Sequence, residues 1–387
     1  NLFQFLPMTD QPTTEAAATA QNPTNNPPDL APTCSSIHES VLRQDRRSVA
    51  WYLQRQPECV IAQDEDSRTP LLLAAAAGDA PTCQLLLRRM AAYDADSINW
   101  ADAGGLTPLH WALTQQRYDA AALLLRHGAN CSAEDEDGRR PLHAAAFSGN
   151  ARCVGLLLPH VTKDGASAPS ADNLTPLHYA ALSGAAPVVT LLLEAGANLH
   201  AVDEEGRSAL SWAAGEGHAS VVAALLGAKA DPTTADANGM GALHHAAKAG
   251  SLQSAQLLLA GGASALQRSV GGSLAEDIAR QAGGRGAGAL VDVLKQAGEA
   301  EAQQRQAALL DELMLDEQSG EEGGNNNSAR GRSQQNNVAM TPGKAAALRK
   351  KSEKKKRQAA KRQAQLLQQQ QASNNYNAVA AAAEAHF

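Results

Sequence analysis

Aromatic side chains supply only 3 % of this 387-residue chain, so its core must be filled by small and branched aliphatic groups rather than by stacked rings. Cysteine is equally scarce. Cys34, Cys59, Cys83, Cys131 and Cys153 are odd in number and show no Cys-x-x-Cys spacing, which speaks against a disulfide framework and a cysteine-based zinc site. Reduced thiols in the cytoplasm or nucleus are the resulting expectation. Long apolar runs are missing too: Leu71 to Ala77 falls far short of the roughly 20 residues a bilayer span needs, so no transmembrane segment is expected. No secretory leader is evident, and Met8 is a candidate start behind the opening Asn1.

What the chain does have is a repeat. Thr175-Pro176-Leu177-His178-Tyr179-Ala180-Ala181 recurs, with its proline position at Pro70, Pro108, Pro141, Pro176, Ala209, Ala242 and Ala275, in steps of 38, 33, 35, 33, 33 and 33. Fifteen residues after each of the first six positions begins a leucine-rich triplet, as at Leu85, Leu123, Leu156, Leu191 and Leu257. Glycine follows the proline position by eight residues at Gly78, Gly149, Gly184, Gly217, Gly250 and Gly283, with Gln116 the exception. A period near 33 signals stacked supersecondary units.

Each unit reads as two short antiparallel helices and a projecting turn. Threonine caps the first helix, proline presets φ at its first position, paired alanines keep it thin, and glycine closes it. The second helix carries the leucine triplet inward. No lone pair of helices can bury both faces, so the units must stack.

Those motifs resemble the ankyrin repeat across residues 67–298, most fully at Thr107-Pro108-Leu109-His110, Pro141-Leu142-His143 and Thr175-Pro176-Leu177-His178. The resemblance implies an all-α solenoid of about seven repeats. Two stretches, Ile98-Asn99-Trp100-Ala101-Asp102 and Glu205-Gly206-Arg207-Ser208-Ala209-Leu210-Ser211-Trp212, are similar to inversin-type scaffolds of that family. That similarity implies work at a cilium or in cell-polarity signalling, although the IQ motif of that type is not found.

Composition sets the expected boundaries. Residues 1–35, rich in Thr, Pro, Gln and Asn, are expected to be disordered. Residues 36–66 read as a degenerate first helix pair, the cap a solenoid needs. Residues 299–387 are expected to form a disordered tail, acidic over 299–322 with a net −7 and basic beyond, where residues 323–387 carry +10. With −7 for the whole chain, residues 1–298 carry −10.

The basic segment 344–362 contains Lys350, Lys351, Lys354, Lys355, Lys356 and Arg357. It reads as an import signal, as a contact to anionic lipid or RNA, or as a solvated helix. No aromatic is interleaved with it, so nucleic acid is not the expected partner. Leu309-Leu310-Asp311-Glu312-Leu313-Met314-Leu315 has the spacing of an amphipathic helix, which reads as docking in a partner groove or as an export signal but is expected rather to fold back over the last repeat.

Catalytic chemistry finds little support. Gly284-Arg285-Gly286-Ala287-Gly288-Ala289 fits a dinucleotide pattern but follows a helix, not a strand. Pro342-Gly343-Lys344 lacks the glycine and hydroxyl of a phosphate loop. Asp64-Glu65-Asp66 and Asp135-Glu136-Asp137-Gly138 resemble calcium loops, yet Ala75 or Ala146 stands where the bidentate Glu belongs. Four histidines, His110, His143, His178 and His244, fall one to a repeat and so do not converge on a metal; the resemblance gives them a bond between turn and helix. No catalytic residue, cofactor or small-molecule substrate is expected.

Binding remains. In the family that the chain resembles, partner proteins meet a concave face made of turn tips and the ends of first helices. Carried to this chain, that face comprises Leu106, Glu136, Arg139, Asp172, Leu174, Glu204, Arg207 and Met240 on the tips, with Thr114, Gln115, Phe147, Leu182, Glu216 and Lys248 at the helix ends. Phe147, Leu174 and Leu182 form its expected apolar centre, flanked by acids that would select a basic or mixed peptide. Two readings stay open: a cytoplasmic adaptor, or a nuclear regulator whose repeats hold a transcription or chromatin factor.

Overall fold

The computed structural model describes residues 36–91, 95–283 and 287–319, with the side chains of 95 and 311–319 excepted. Seventeen α-helices lie in that range, and the pairing read from the repeat accounts for all but one of them. The pairs are α1 (Ile37–Leu42) with α2 (Arg46–Arg55), α3 (Pro70–Ala77) with α4 (Ala80–Met90), α5 (Pro108–Thr114) with α6 (Tyr118–Arg126), and α7 (Pro141–Phe147) with α8 (Ala151–Leu157). A single turn, α9 (Lys163–Ala166), precedes α10 (Pro176–Ser183) with α11 (Ala186–Glu194). Then come α12 (Ala209–Gly215) with α13 (Ala219–Gly227), α14 (Ala242–Ala249) with α15 (Leu252–Ala260), and α16 (Ala275–Ala282) with α17 (Ala287–Ser319). Among the described residues the only β-type pairings are two isolated bridges, Val202 with Ser208 and Ala235 with Gly241.

The helices form two rows. First helices touch the first helices of neighbouring pairs from α1 to α16, second helices touch second helices from α2 to α15, and each pair up to α14 with α15 is closed on itself. Alanines 74, 75, 144, 145, 180, 181, 213, 214, 246 and 247 are fully buried in the first row, where a larger side chain would hold the helices apart. Leu86, Leu124, Leu157, Leu192, Leu225 and Leu258 seal the seam from the second row.

Chain reversals repeat as faithfully as the helices. The helix-closing position is left-handed at Gly78 and Gly184, and Gln116 takes the same conformation at φ 58 without being glycine. At the turn tip glycine has a second duty. A Cβ on Gly105 would lie 2.9 Å from the Asp135 Cα and the Glu136 nitrogen, so bare backbone is needed where one tip passes the next.

Successive tips are joined by one backbone bond each. Ala103 N–H donates to Asp66 O (3.1 Å), Glu136 to Gly104 (3.2 Å), Ala171 to Asp137 (2.8 Å), Glu204 to Asp172 (3.3 Å), Ala237 to Glu205 (2.8 Å) and Val270 to Asn238 (2.8 Å).

The last helix departs from expectation. Leu290 and Leu294 are buried against the solenoid, and the Glu301 carboxylate accepts from Ser264 Oγ at 2.7 Å and from the Ala265 N–H at 3.0 Å. Helix α17 therefore runs through residue 299, the expected start of the tail, and on to Ser319, because its own leucines and Glu301 anchor it. Beyond Glu301 it projects. Leu309 and Leu310 are 60 % and 50 % exposed, so these two leucines do not pack over the last repeat, while the side chains of Asp311 to Leu315 lie outside the described residues.

Candidate partner-binding face

Every turn tip is built on one short acceptor side chain. Asp64, Asp102, Asp135 and Asp236 each take two backbone N–H groups of their own tip at 2.8–3.0 Å, and Asp203 takes that of Arg207 at 2.7 Å. Ser170 and Ser269 supply a hydroxyl at the same place. Of the carboxylates that looked like calcium ligands, Asp64 and Asp135 are thus committed to the backbone, and Asp66 and Asp137 pair with Arg68 and Arg139. Among the described residues no group of three or more His, Cys, Asp or Glu is arranged to hold a metal ion.

The second oxygen of each aspartate locks a neighbour. Trp111 Nε1 donates to Asp102 at 2.8 Å, Trp212 Nε1 to Asp203 at 2.9 Å, and His245 Nε2 pairs with Asp236 at 3.0 Å. Arginine does the same from the tip itself: Arg68, Arg139 and Arg207 place Nε 2.9, 2.7 and 2.8 Å from Asp64, Asp135 and Asp203.

Two expected contact residues are therefore not on the surface. Arg139 is 3 % exposed and bonded to Asp135 and Asp137, and Leu174 is 5 % exposed within the core. A guanidinium held by two carboxylates and an apolar side chain sealed beneath Leu182 and Trp212 have nothing left for a partner. Arg207 is half-buried, stacked 4.1 Å over the Trp212 ring and paired with Glu205.

The other sites stay accessible. Glu136, Asp172, Glu204, Glu216 and Lys248 are exposed, while Leu106, Thr114, Gln115, Phe147, Leu182 and Met240 are half-buried. Phe147 meets the edge of Tyr179 at 6.3 Å, and Tyr179 meets His143 at 5.5 Å. Leu182 and Trp212 come together with Leu174, His178 and Tyr179, leaving no room for a water between them. Trp212 was legible only as packing. Its signal is an aspartate nine residues upstream, shared by Asp102 with Trp111 and by Asp236 with His245.

Beneath the face, four histidines cap the first helices and two of them, His110 and His143, also tie unit to unit. Nδ1 of His110, His143, His178 and His244 accepts the helix-capping N–H of Thr107, Arg140, Thr175 and Gly241 at 2.9–3.1 Å. Nε2 of His110 then bonds to Arg139 O at 3.1 Å, and that of His143 to Ala168 O at 2.9 Å, across into the next unit. The arrangement requires neutral imidazole with its proton on Nε2. Burial pulls His110, His143 and His178 down to about 4, well below the ordinary 6.5.

The geometry meets its family here. The profile described as Ankyrin repeats (3 copies) matches residues 37–135, 128–203 and 195–269, more than half of the chain. The chain belongs to the ankyrin-repeat family. Chicken (Gallus gallus) inversin is 34 % identical over 127 residues, 33 % of this chain and 11 % of that protein. The human BCL-6 corepressor-like protein 1 is 37 % identical over 67 residues, 17 % of this chain and 4 % of that protein. The chain therefore spans a small fraction of these relatives. The crystal structure of the ankyrin repeat domain of Bcl-3 aligns over 60 % of this chain and 100 % of that one, at 28 % identity and a TM-score of 0.48. As an ankyrin-repeat chain it is an interaction scaffold, and no described helix is long and apolar enough to cross a membrane. Lys350, Lys351, Lys354, Lys355, Lys356 and Arg357, like residues 1–35 and 320–387 generally, lie outside the described residues.

Proposed function

We propose that the chain is a non-enzymatic adaptor that holds a basic or mixed segment of a partner protein along its tips and first-helix ends. One observation carries this reading: exposed Glu136, Asp172, Glu204 and Glu216 flank the half-buried apolar pair Phe147 and Leu182 on adjacent units. Apolar groups inside a charged rim are the usual make-up of a binding hot spot. Arg139 and Leu174 act from below, by fixing the tips. The inversin similarity supports a role at a cilium or in cell polarity.

Changing Phe147 and Leu182 to Ser tests the face by affinity capture and thermal melting together. The expected result is loss of the captured partner with the melt little changed; a lowered melting temperature with capture intact would reject the face. The nuclear reading draws support from the 344–362 lysine run and the corepressor-like relative. Tagged chains with and without 344–362 separate it from the adaptor reading, since an unchanged distribution removes the import signal.

A further inference from the structure

The second helices carry a groove that the tip face does not use. Between α4, α6 and α8 lies an open groove of about 520 Å³ lined by the apolar Pro81, Leu123 and Leu156 and by Tyr118, with Asp119 and Arg126 as its charged residues. A volume of that order suits recognition of side chains. Tyr118 stands where the neighbouring pairs have Ala80 and Ala151, and the Arg152 guanidinium sits 4.5 Å over its ring.

The arginines ending these helices are not generic helix-end charges. A base at a helix C-terminus favours the dipole wherever it occurs. Here Arg88 and Arg89 end α4 and Arg126 ends α6, as Arg55 ends α2, whereas α8, α11, α13 and α15 have no base in their last turns. Arginine thus ends the second helices from α2 to α6 and none of those from α8 to α15, on a stretch of chain that is otherwise acidic.

A complementary element stands uncovered at the other end. Helix α17 is exposed from residue 302 to residue 310, including Leu309 and Leu310, and the sequence continues Asp311-Glu312-Leu313-Met314-Leu315-Asp316-Glu317. Leucines amid acids match an apolar lining with arginine-ended helices.

We propose that the acidic, leucine-bearing end of α17 from a second copy of this chain docks in the α4–α6–α8 groove. The two surfaces differ, so the contact is head to tail and adds copies in an open series rather than closing a symmetric dimer. It is independent of the tip face.

A fluorescent peptide of residues 304–319, titrated into the full chain and followed by anisotropy, tests the contact, with sedimentation of the full chain over a concentration series beside it. Saturable binding is expected, weakened about tenfold or more by Arg88→Glu with Arg126→Glu, and by Leu309→Ser with Leu310→Ser in the peptide. The average mass of the full chain should rise with concentration and return to the monomer in the same charge-reversed variant. The peptide change leaves the folded chain untouched, so loss of binding there cannot be misfolding. Absence of saturable binding, equal binding of a scrambled peptide of the same composition, or a strictly monomeric chain at roughly 100 µM would each overturn the proposal.

Discussion

The histidine-bearing pairs and the final pair begin their first helices alike and differ in what the starting side chain does next. In the former, a buried histidine caps its own helix through Nδ1, and in His110 and His143 it reaches the next unit through Nε2. In α16 the same position is Asp277, whose carboxylate takes the Leu274 N–H at 3.0 Å and whose side chain is 42 % exposed. Starting a helix needs only an acceptor. Joining it to a further unit's carbonyl needs a side chain whose second polar end donates, and at α16 the carboxylate, which only accepts, stops at the first of these tasks.

Acidification should expose that contrast most strongly. The folded-state values of His110, His143 and His178 are depressed to about 4, so between 6.5 and 4 the unfolded chain binds more protons than the folded one. Their contribution is complete above about pH 6.5 and is lost as pH falls toward 4, by up to roughly 3 kcal/mol for each histidine. Urea midpoints measured from pH 7.5 to 4 should drop through this window; a flat profile would break the comparison.

Next in size is the shared core. Leu192 is fully buried in α11, and Leu192→Ala should cost about 2–5 kcal/mol, with faster hydrogen exchange spreading into α10 and α13. Smaller still is the cap itself. His143→Ala removes two buried hydrogen bonds and should cost about 2–3 kcal/mol, whereas Asp277→Ala removes an exposed cap and should cost about 1 kcal/mol or less by the same denaturation assay. Equal losses would mean that the histidine does not join units.

Helix starts, closing turns and the buried leucine of each triplet were readable because each depends on a few neighbouring residues at constant spacing. The conformation even outlived its usual residue, since Gln116, Asn173 and Ser67 adopt the left-handed backbone that glycine takes in other units. Contact surfaces were less readable. Arg68, Arg139 and Arg207 share one register position, yet the Arg139 side chain is 4 % exposed against 27 % and 28 % for the others. Exposure at that position depends on what the next unit lays over it. Leu174 shows the same thing, sitting in a turn but sealed beneath Leu182 and Trp212. The end of α17 was missed for a related reason: an amphipathic pattern says which side of a helix is apolar but not whether any surface lies opposite.

The period of 33 residues and the composition of each unit were enough to set the number of pairs, their order and their all-helical stacking, since local caps and nearest-neighbour burial are encoded within a single unit. Which charged and apolar side chains remain open to a partner came from the packing of one unit on the next, because burial and ion pairing at each tip belong to the joint between units and to neither alone.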